Sequence, residues 1–376
     1  MRSRMEVALL PCLIYGCAVV QPTMTRSVGS PMPGTARAVP LMITSVGVEP
    51  KTIDITQGRE ATIRYTVSRA CTVTVDFADE EGRLIRRVEA GRQPAGTRRV
   101  VWDGRTAWGT SAPTGVYRYI IRAVDESGGE RVHDPSDATG GEELQPRDFT
   151  FDKTIGTLQW TMPRAGYVRL RIGIEGFPHL RTLLDWEPLE GGQQVLSWDG
   201  RDHSGLIRFA DHPNLSIKLT AFAMPDNTIL VRGTSVPVPI SQPQAYPPMT
   251  KSEPGYFHAR HLRGICREVA VRVEFPDAAR HDPDGRPVLT GRVPVRVILD
   301  AQDAAHLVSQ RFEVAIFEGL TILFEVEDGS NPFTFLWDTS HLPDGPHLMV
   351  VNILSYDDHY GVAVAPVVVD HGGTSS

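Results

Sequence analysis

Val100-Val101-Trp102-Asp103-Gly104-Arg105, followed by Pro113-Thr114-Gly115-Val116-Tyr117-Arg118-Tyr119-Ile120-Ile121-Arg122-Ala123, decides how this 376-residue chain is read. An alternating apolar strand runs into Trp-Asp and a polar turn, pauses in a Gly/Pro loop and re-enters a strand. The passage recurs at Leu196-Ser197-Trp198-Asp199-Gly200-Arg201 and at Phe335-Leu336-Trp337-Asp338-Thr339-Ser340. A recurring strand-to-turn signature means one supersecondary unit used several times. The spacing between the tryptophans, 96 and then 139 residues, is that of domains rather than solenoid repeats. The two strands flanking each turn are expected to form a hairpin-like element.

The repeat extends upstream. In the first copy Arg69 to Phe77 alternates at period two, Asp79-Glu80-Glu81-Gly82 turns, and Leu84 to Glu89 reads as the next strand. The second copy runs from Arg164 to Ile172, turns at Glu175-Gly176 and continues from Leu180 to Trp186. Period-two alternation bounded by Gly, Pro, Asp and Ser argues for half-buried strands. No helical stretch of comparable strength is expected in the body of the chain. Trp-Asp-Gly-Arg, a loop containing Gly109, then Pro-Thr-Gly-Val-Tyr, resembles the FlgD-type immunoglobulin-like domain, which also occurs in secreted bacterial proteins. The resemblance is good over Lys51 to Val124. It is fair over Phe149 to Ala223, where His212-Pro213-Asn214-Leu215 replaces Pro-x-Gly-x-Tyr, and weak over Val269 to Val369. It implies β-sandwich modules and brings no catalytic residues with it.

Composition agrees. With 34 Gly and 29 Pro the chain carries a heavy load of turn residues for a helical protein, and its 41% apolar content can fill two or three cores. The expected class is all-β: tandem immunoglobulin-like or fibronectin-III-like sandwiches joined by Pro/Gly-rich linkers. Modules are placed at 46–125, 148–234 and 265–370, with linkers at 126–147 and 235–264 and a tail at 371–376. In the third module, Val269 to Phe275, Arg292 to Leu299, Phe312 to Phe317, Leu320 to Glu327, Phe333 to Trp337, His347 to Asp357 and Gly361 to Val369 read as strands. Its apolar run Ile316 to Phe324 reads as a buried strand pair; exposed, it would mark a protein contact.

At the N-terminus, Arg2 and Arg4 precede the mostly apolar Val7 to Val20. That is the length of a signal h-region and too short to span about 30 Å of hydrocarbon as a simple helix. Residues 1–20 are therefore a signal or lipoprotein-like anchor. Leu13-Ile14-Tyr15-Gly16-Cys17 resembles a lipoprotein box, with Tyr15 bulkier than the motif usually accepts. Lipidation of Cys17, an ordinary export signal and a retained anchor all remain open. Residues 21–45, rich in Pro, Thr, Ser and Gly, read as a flexible tether. Farther on, Val236-Pro237-Val238-Pro239 and Gln242-Pro243-Gln244-Ala245-Tyr246-Pro247-Pro248 imply a semi-rigid, polyproline-like connector that can present side chains.

Chemistry-bearing constellations are sparse. Cys12 and Cys17 sit in the leader, while Cys71 and Cys266 belong to different modules, so no disulfide framework exists and Cys71 reads as a small buried hydrophobe. No Cys-x-x-Cys pair, Gly-x-Ser-x-Gly, His-Glu-x-x-His or phosphate-cradling loop occurs. Asp357-Asp358-His359 and His281-Asp282-Pro283-Asp284-Gly285 hold oxygen ligands of the kind that bind calcium, but Asp-Pro-Asp-Gly is a turn in its own right. His258 and His261 read as a solvated linker face. No cofactor and no metal site is expected. A formal net charge of -7 argues against nucleic acid as a partner.

Trp102, Trp198 and Trp337 have two readings. Exposed, they would stack on sugars; buried, each packs in its core while Asp103, Asp199 or Asp338 bonds the amides of its turn, with Gly104 and Gly200 completing two of the turns. Recurrence favours the structural corner, because a corner is duplicated automatically and a binding site is not. The expectation is an exported, non-enzymatic scaffold or accessory subunit, tethered at the envelope, whose partners are other envelope or membrane-complex proteins. One form is a subunit on the outer face of a respiratory or photosynthetic complex. The alternatives are a carbohydrate-binding surface protein and a cryptic hydrolase built on Asp357 and His359.

Overall fold

The structure, a computed structural model, describes residues 39–176, 178, 180–233, 245–246, 268–355 and 359–372. The leader with Cys12 and Cys17, most of the connector with His258, His261 and Cys266, and the Asp357-Asp358 pair lie outside these residues. The described chain is all-β, with six sheets facing one another in pairs around three apolar cores.

In the first sandwich, β1 (Ile43–Glu49), β3 (Ala61–Val67) and β6 (Gly96–Trp102) form one sheet. The opposite sheet holds β2 (Thr52–Asp54), β4 (Cys71–Asp79), β5 (Leu84–Gln93) and β7 (Gly115–Asp125), with β8 (Glu130–His133) on the edge of β7. Alternation sends Val73, Val75 and Phe77 from β4 and Tyr117, Tyr119 and Ile121 from β7 into the core. Cys71 is a free, buried thiol there, its pKa pushed up by burial and by nearby Asp125.

The second sandwich pairs the sheet β10 (Arg147–Asp152), β11 (Thr157–Met162) and β14 (Gly192–Ser197) with one in the order β13-β12-β15-β9. There β9 is Glu143–Leu144, β12 Gly166–Ile174, β13 Leu180–Leu189 and β15 Leu215–Ala223. The chain then returns. Strand β16 (Thr228–Arg232) lies in the stretch expected of the second module, yet it pairs antiparallel with β7 and parallel with β2. Its Ile229 and Val231 fill the first core. The second sandwich is thus inserted between β8 and the last strand of the first.

The two bodies are fused at their contact. Val116 and Leu230 of the first sandwich pack with Tyr167, Trp186 and Met224 of the second, and the Tyr167 hydroxyl donates to Glu80 at 2.6 Å. Residues 126–147, read as a patternless linker, supply β8, β9 and a 3-10 turn at Pro135–Asp137. Asp134 caps that turn by accepting the Ser136 amide, and Pro135 presets its first φ.

The third sandwich sets β17 (Val271–Glu274), β20 (Arg292–Leu299) and β23 (Phe333–Asp338) against a six-stranded sheet. The latter runs β18 (Arg280–His281), β19 (Pro287–Leu289), β25 (Tyr360–Val369), β24 (Gly345–Ser355), β21 (Phe312–Glu318) and β22 (Thr321–Val326). A helix that the sequence reading did not expect, α1 (Ala301–Gln310), bridges β20 and β21. Its good helix formers follow Asp300, and Leu307 seats it on the core with no exposure. The apolar run Ile316 to Phe324 divides: Ile316 is fully buried, whereas Leu320 and Ile322 at the hairpin tip are more than half exposed.

One expectation is corrected in all three modules. The strands flanking each Trp-Asp turn do not pair as a hairpin. Strands β6 and β7, β14 and β15, and β23 and β24 lie in opposite sheets, so each turn carries the chain across the end of its sandwich. An indole at the end of the first strand must point between the sheets, and that geometry suits a crossover rather than a ladder.

Candidate functional site

The corners are built alike in the first two modules. Trp102, 1% exposed, stacks on Phe77 at 4.4 Å and meets Tyr117 edge-on at 5.4 Å. Its indole nitrogen donates to the Arg105 carbonyl at 2.9 Å, and the Arg105 amide donates to Asp103 at 3.0 Å. Trp198 repeats the same bonds with Arg201 and Asp199 at 2.9 and 3.0 Å. The two turn arginines close their loops on Gly109 and Gly205. Gly104 and Gly200 sit at φ +73° and +76°, backbone that L side chains rarely adopt. These are Asx turns seated on a buried ring.

The third corner departs from the pattern. Trp337 is equally buried, but its indole nitrogen has no partner among the described residues. Buried Thr339 stands where glycine does elsewhere, and its hydroxyl donates to the Gly291 carbonyl at 2.9 Å. Asp338 accepts from the Ser340 hydroxyl and amide at 2.6 and 3.1 Å and from Arg292 at 3.0 Å. The Ser340 hydroxyl, then its amide, then Arg292 hold the Asp338 carboxyl down at about 2.

With Trp102, Trp198 and Trp337 inside, the accessible indole is one that the sequence reading passed over. Of the chain's six tryptophans, Trp102, Trp160, Trp186, Trp198 and Trp337 are at most 3% exposed, while Trp108 is 63% exposed. It stands on the first crossover loop, beyond the Trp-Asp-Gly-Arg turn. The loop is pinned by Thr106 N–H to Thr110 C=O at 2.8 Å, Gly109 N–H to Thr106 C=O at 3.0 Å and Ala107 N–H to Ile85 C=O at 2.9 Å. The Thr106 and Thr110 hydroxyls also bond at 2.8 Å. A large ring held in the open on a stiff loop is what an interface anchor requires. A tryptophan inside a turn loop, outside any alternating run, was the available signal.

The remaining candidates resolve into structure. His359 is 2% exposed, its carbonyl accepts the Ser355 amide and its amide donates to the Ser355 hydroxyl, both at 3.0 Å, and its ring lies 4.6 Å from that of His306. Asp282 spends its carboxylate on the Asp284 and Arg286 amides at 3.0 and 2.7 Å and on the Arg286 guanidinium at 2.6 Å, with Gly285 at φ +80°. Among the described residues no three His, Cys, Asp or Glu side chains converge as metal ligands would.

Residues 51–127, which carry the first corner and Trp108, match the family model of the FlgD Ig-like domain. The first module is a FlgD-type immunoglobulin-like domain. The basal-body rod modification protein FlgD of Salmonella typhimurium, and that of Salmonella typhi, are 39% identical to this chain over 51 residues, 14% of the chain and 22% of each relative. The chain therefore spans about a fifth of the length of the curated relatives it matches. Among solved structures, FlgD from P. aeruginosa is 21% identical, with a TM-score of 0.21 over 24% of this chain and 66% of that one. The fibronectin(III)-like modules of Clostridium thermocellum CbhA are 11% identical, with a TM-score of 0.19 over 89% of this chain and all of that one. The FlgD-type domain here has no free β7 edge, because β16 and β8 occupy it.

Proposed function

We propose that this chain is a non-catalytic, exported scaffold or accessory subunit that holds a partner protein at the cell envelope, with Trp108 of the FlgD-type domain as the anchor of that contact. The supporting observation is the single exposed indole on a stiffened loop, against five buried ones. The apolar Val7 to Val20 stretch after Arg2 and Arg4 supports export, and Cys17 is the residue we assign to a lipid anchor. No helix among the described residues is long and apolar enough to cross a membrane. The partner is an envelope or membrane-complex protein, with the outer face of a respiratory or photosynthetic complex as one setting.

The test places a photo-crosslinking amino acid at position 108 in cells, followed by gentle detergent extraction and size-exclusion chromatography. A covalent adduct with an envelope protein is expected. Migration of the native protein as a free monomer with no adduct would sink the proposal.

The same residue favours a second reading, a carbohydrate-binding module, because an exposed indole also stacks on sugar faces. Quenching of indole emission by a glycan, lost in Trp108→Ala, would establish it; no quenching across a broad glycan panel would dismiss it.

A further inference from the structure

The outer face of the β4-β5-β7 sheet holds a tyrosine from the proline-rich connector. Ala245 and Tyr246 both direct their backbone N–H groups at the Gly82 carbonyl, at 3.0 Å each. That carbonyl is offered by a rigid turn: Asp79 accepts the amides of Glu81 and Arg83 at 3.0 and 2.9 Å and pairs with the Arg83 guanidinium at 2.6 Å. The Tyr246 hydroxyl donates to Asp76, which is 2% exposed and clamped by both guanidinium arms of Arg87 at 2.7 and 2.6 Å. Above the ring, 5.8 Å from its centroid, lies the guanidinium of Arg118, itself 1% exposed and braced by the Ser136 hydroxyl at 2.6 Å.

Strand register brings these groups together. Asp76 on β4 faces Arg87 on β5, and Ala78, two residues on along the same face, faces Arg118 on β7. Three strands and a turn thus supply a buried acceptor, a buried cation and a main-chain acceptor on a sheet face that an isolated sandwich would leave to water. The acceptor selects tyrosine over phenylalanine, since a phenylalanine ring would cover Asp76, still paired with Arg87, and leave the lone pair that the phenol uses without a donor. Prolines follow Tyr246 in the sequence; proline has no N–H to satisfy, and a proline-rich segment favours extended backbone.

We infer that this face of the FlgD-type domain is a recognition site for a tyrosine in an extended, proline-flanked peptide, that the chain fills it with its own Tyr246, and that a partner segment of the same chemistry enters by displacing the connector. The tethered residue competes at an effective concentration on the order of millimolar, so the site is closed to weak ligands and open to abundant or tight ones. The inference does not rest on Trp108 and can fail or stand separately from it.

The test uses the full chain and a fluorescent peptide with the sequence of residues 241–251, read by anisotropy. Tyr246→Ala is expected to bind the peptide at least about tenfold more tightly than the wild type, because the internal competitor is gone. A peptide with phenylalanine at the tyrosine position is expected to lose most of that binding. Introducing Asp76→Asn into the Tyr246→Ala chain should have the same effect; should that variant not fold, the phenylalanine peptide still reports on the contact. A natively folded Tyr246→Ala chain that binds the peptide no better than wild type, or equal binding of the tyrosine and phenylalanine peptides, would overturn the inference.

Discussion

The indole nitrogen of Trp102 donates to the carbonyl of Arg105, three residues on, at 2.9 Å, whereas that of Trp337 has no partner among the described residues. Removing the two donors should therefore have unequal effects. Trp102→Phe loses ring volume and a made hydrogen bond; Trp337→Phe loses similar volume but relieves a buried unpaired N–H. We expect Trp102→Phe to cost at least about 1 kcal/mol more than Trp337→Phe. Hydrogen exchange of the first and third cores measures each locally.

The corner glycines give a second comparison. A methyl group at Gly104 would meet Ile53 Cδ1 and Ile55 Cγ1 at 3.0 Å, so that these side chains need give by only a few tenths of an ångström. At Gly200 it would meet the Ala210 methyl at 2.8 Å, which has no rotamer to change. Both positions also carry the left-handed backbone penalty of about 1–2 kcal/mol. Gly200→Ala should accordingly destabilise more than Gly104→Ala, as read from urea midpoints.

A third prediction concerns Ile229, fully buried in the first core although it follows the whole second sandwich in sequence. Ile229→Ala is expected to cost about 2–4 kcal/mol, and the loss should appear as faster exchange at Val73 to Phe77 in β4. Faster exchange confined to the second sandwich would contradict the strand's placement.

The acid limb of stability supplies the fourth. The Asp338 carboxyl is held at about 2, below its ordinary value of 3.8, so its bonds to Ser340 and Arg292 stabilise the fold above about pH 4. That contribution is lost as pH falls from about 4 through 2, where the folded state must also take up the proton. Asp338→Asn should lower the thermal midpoint of the third sandwich between pH 6 and 8, where the carboxylate contributes in full, and flatten the fall over this acid window. An unaltered acid limb would show that Asp338 carries none of it.

What the sequence disclosed is what local pattern encodes. Period-two alternation located β20 from Arg292 to Leu299 with both ends correct, and the repeated Trp-Asp turn located the corners, because both depend on neighbours in the chain. Sheet membership does not. Thr-Ile-Leu-Val-Arg at Thr228 reads as a strand, but nothing in those five residues states that their partners are Tyr117 and Thr52. The crossover geometry was hidden for the same reason, since a hairpin and a sandwich corner share the strand–turn–strand pattern. Helix α1 escaped because it is short and, of its apolar side chains, only Leu307 is fully buried. Trp108 was legible as a tryptophan in a loop but was overshadowed by the conspicuous three, and the Asp76–Tyr246 contact joins residues that no spacing rule connects.

The insertion of the second sandwich has a consequence for the order of events in biogenesis. The FlgD-type domain begins to emerge from a ribosome or an export channel ahead of the second sandwich, but its sheet cannot close until residue 232 has followed. The β2 edge and the Gly115 to Arg118 part of the β7 edge stay unpaired for the time it takes to deliver the intervening hundred or so residues at roughly 5–20 residues per second. Of the two fused sandwiches, the one that begins first is the one finished last, and its exposed strand edges are where a chaperone would be needed.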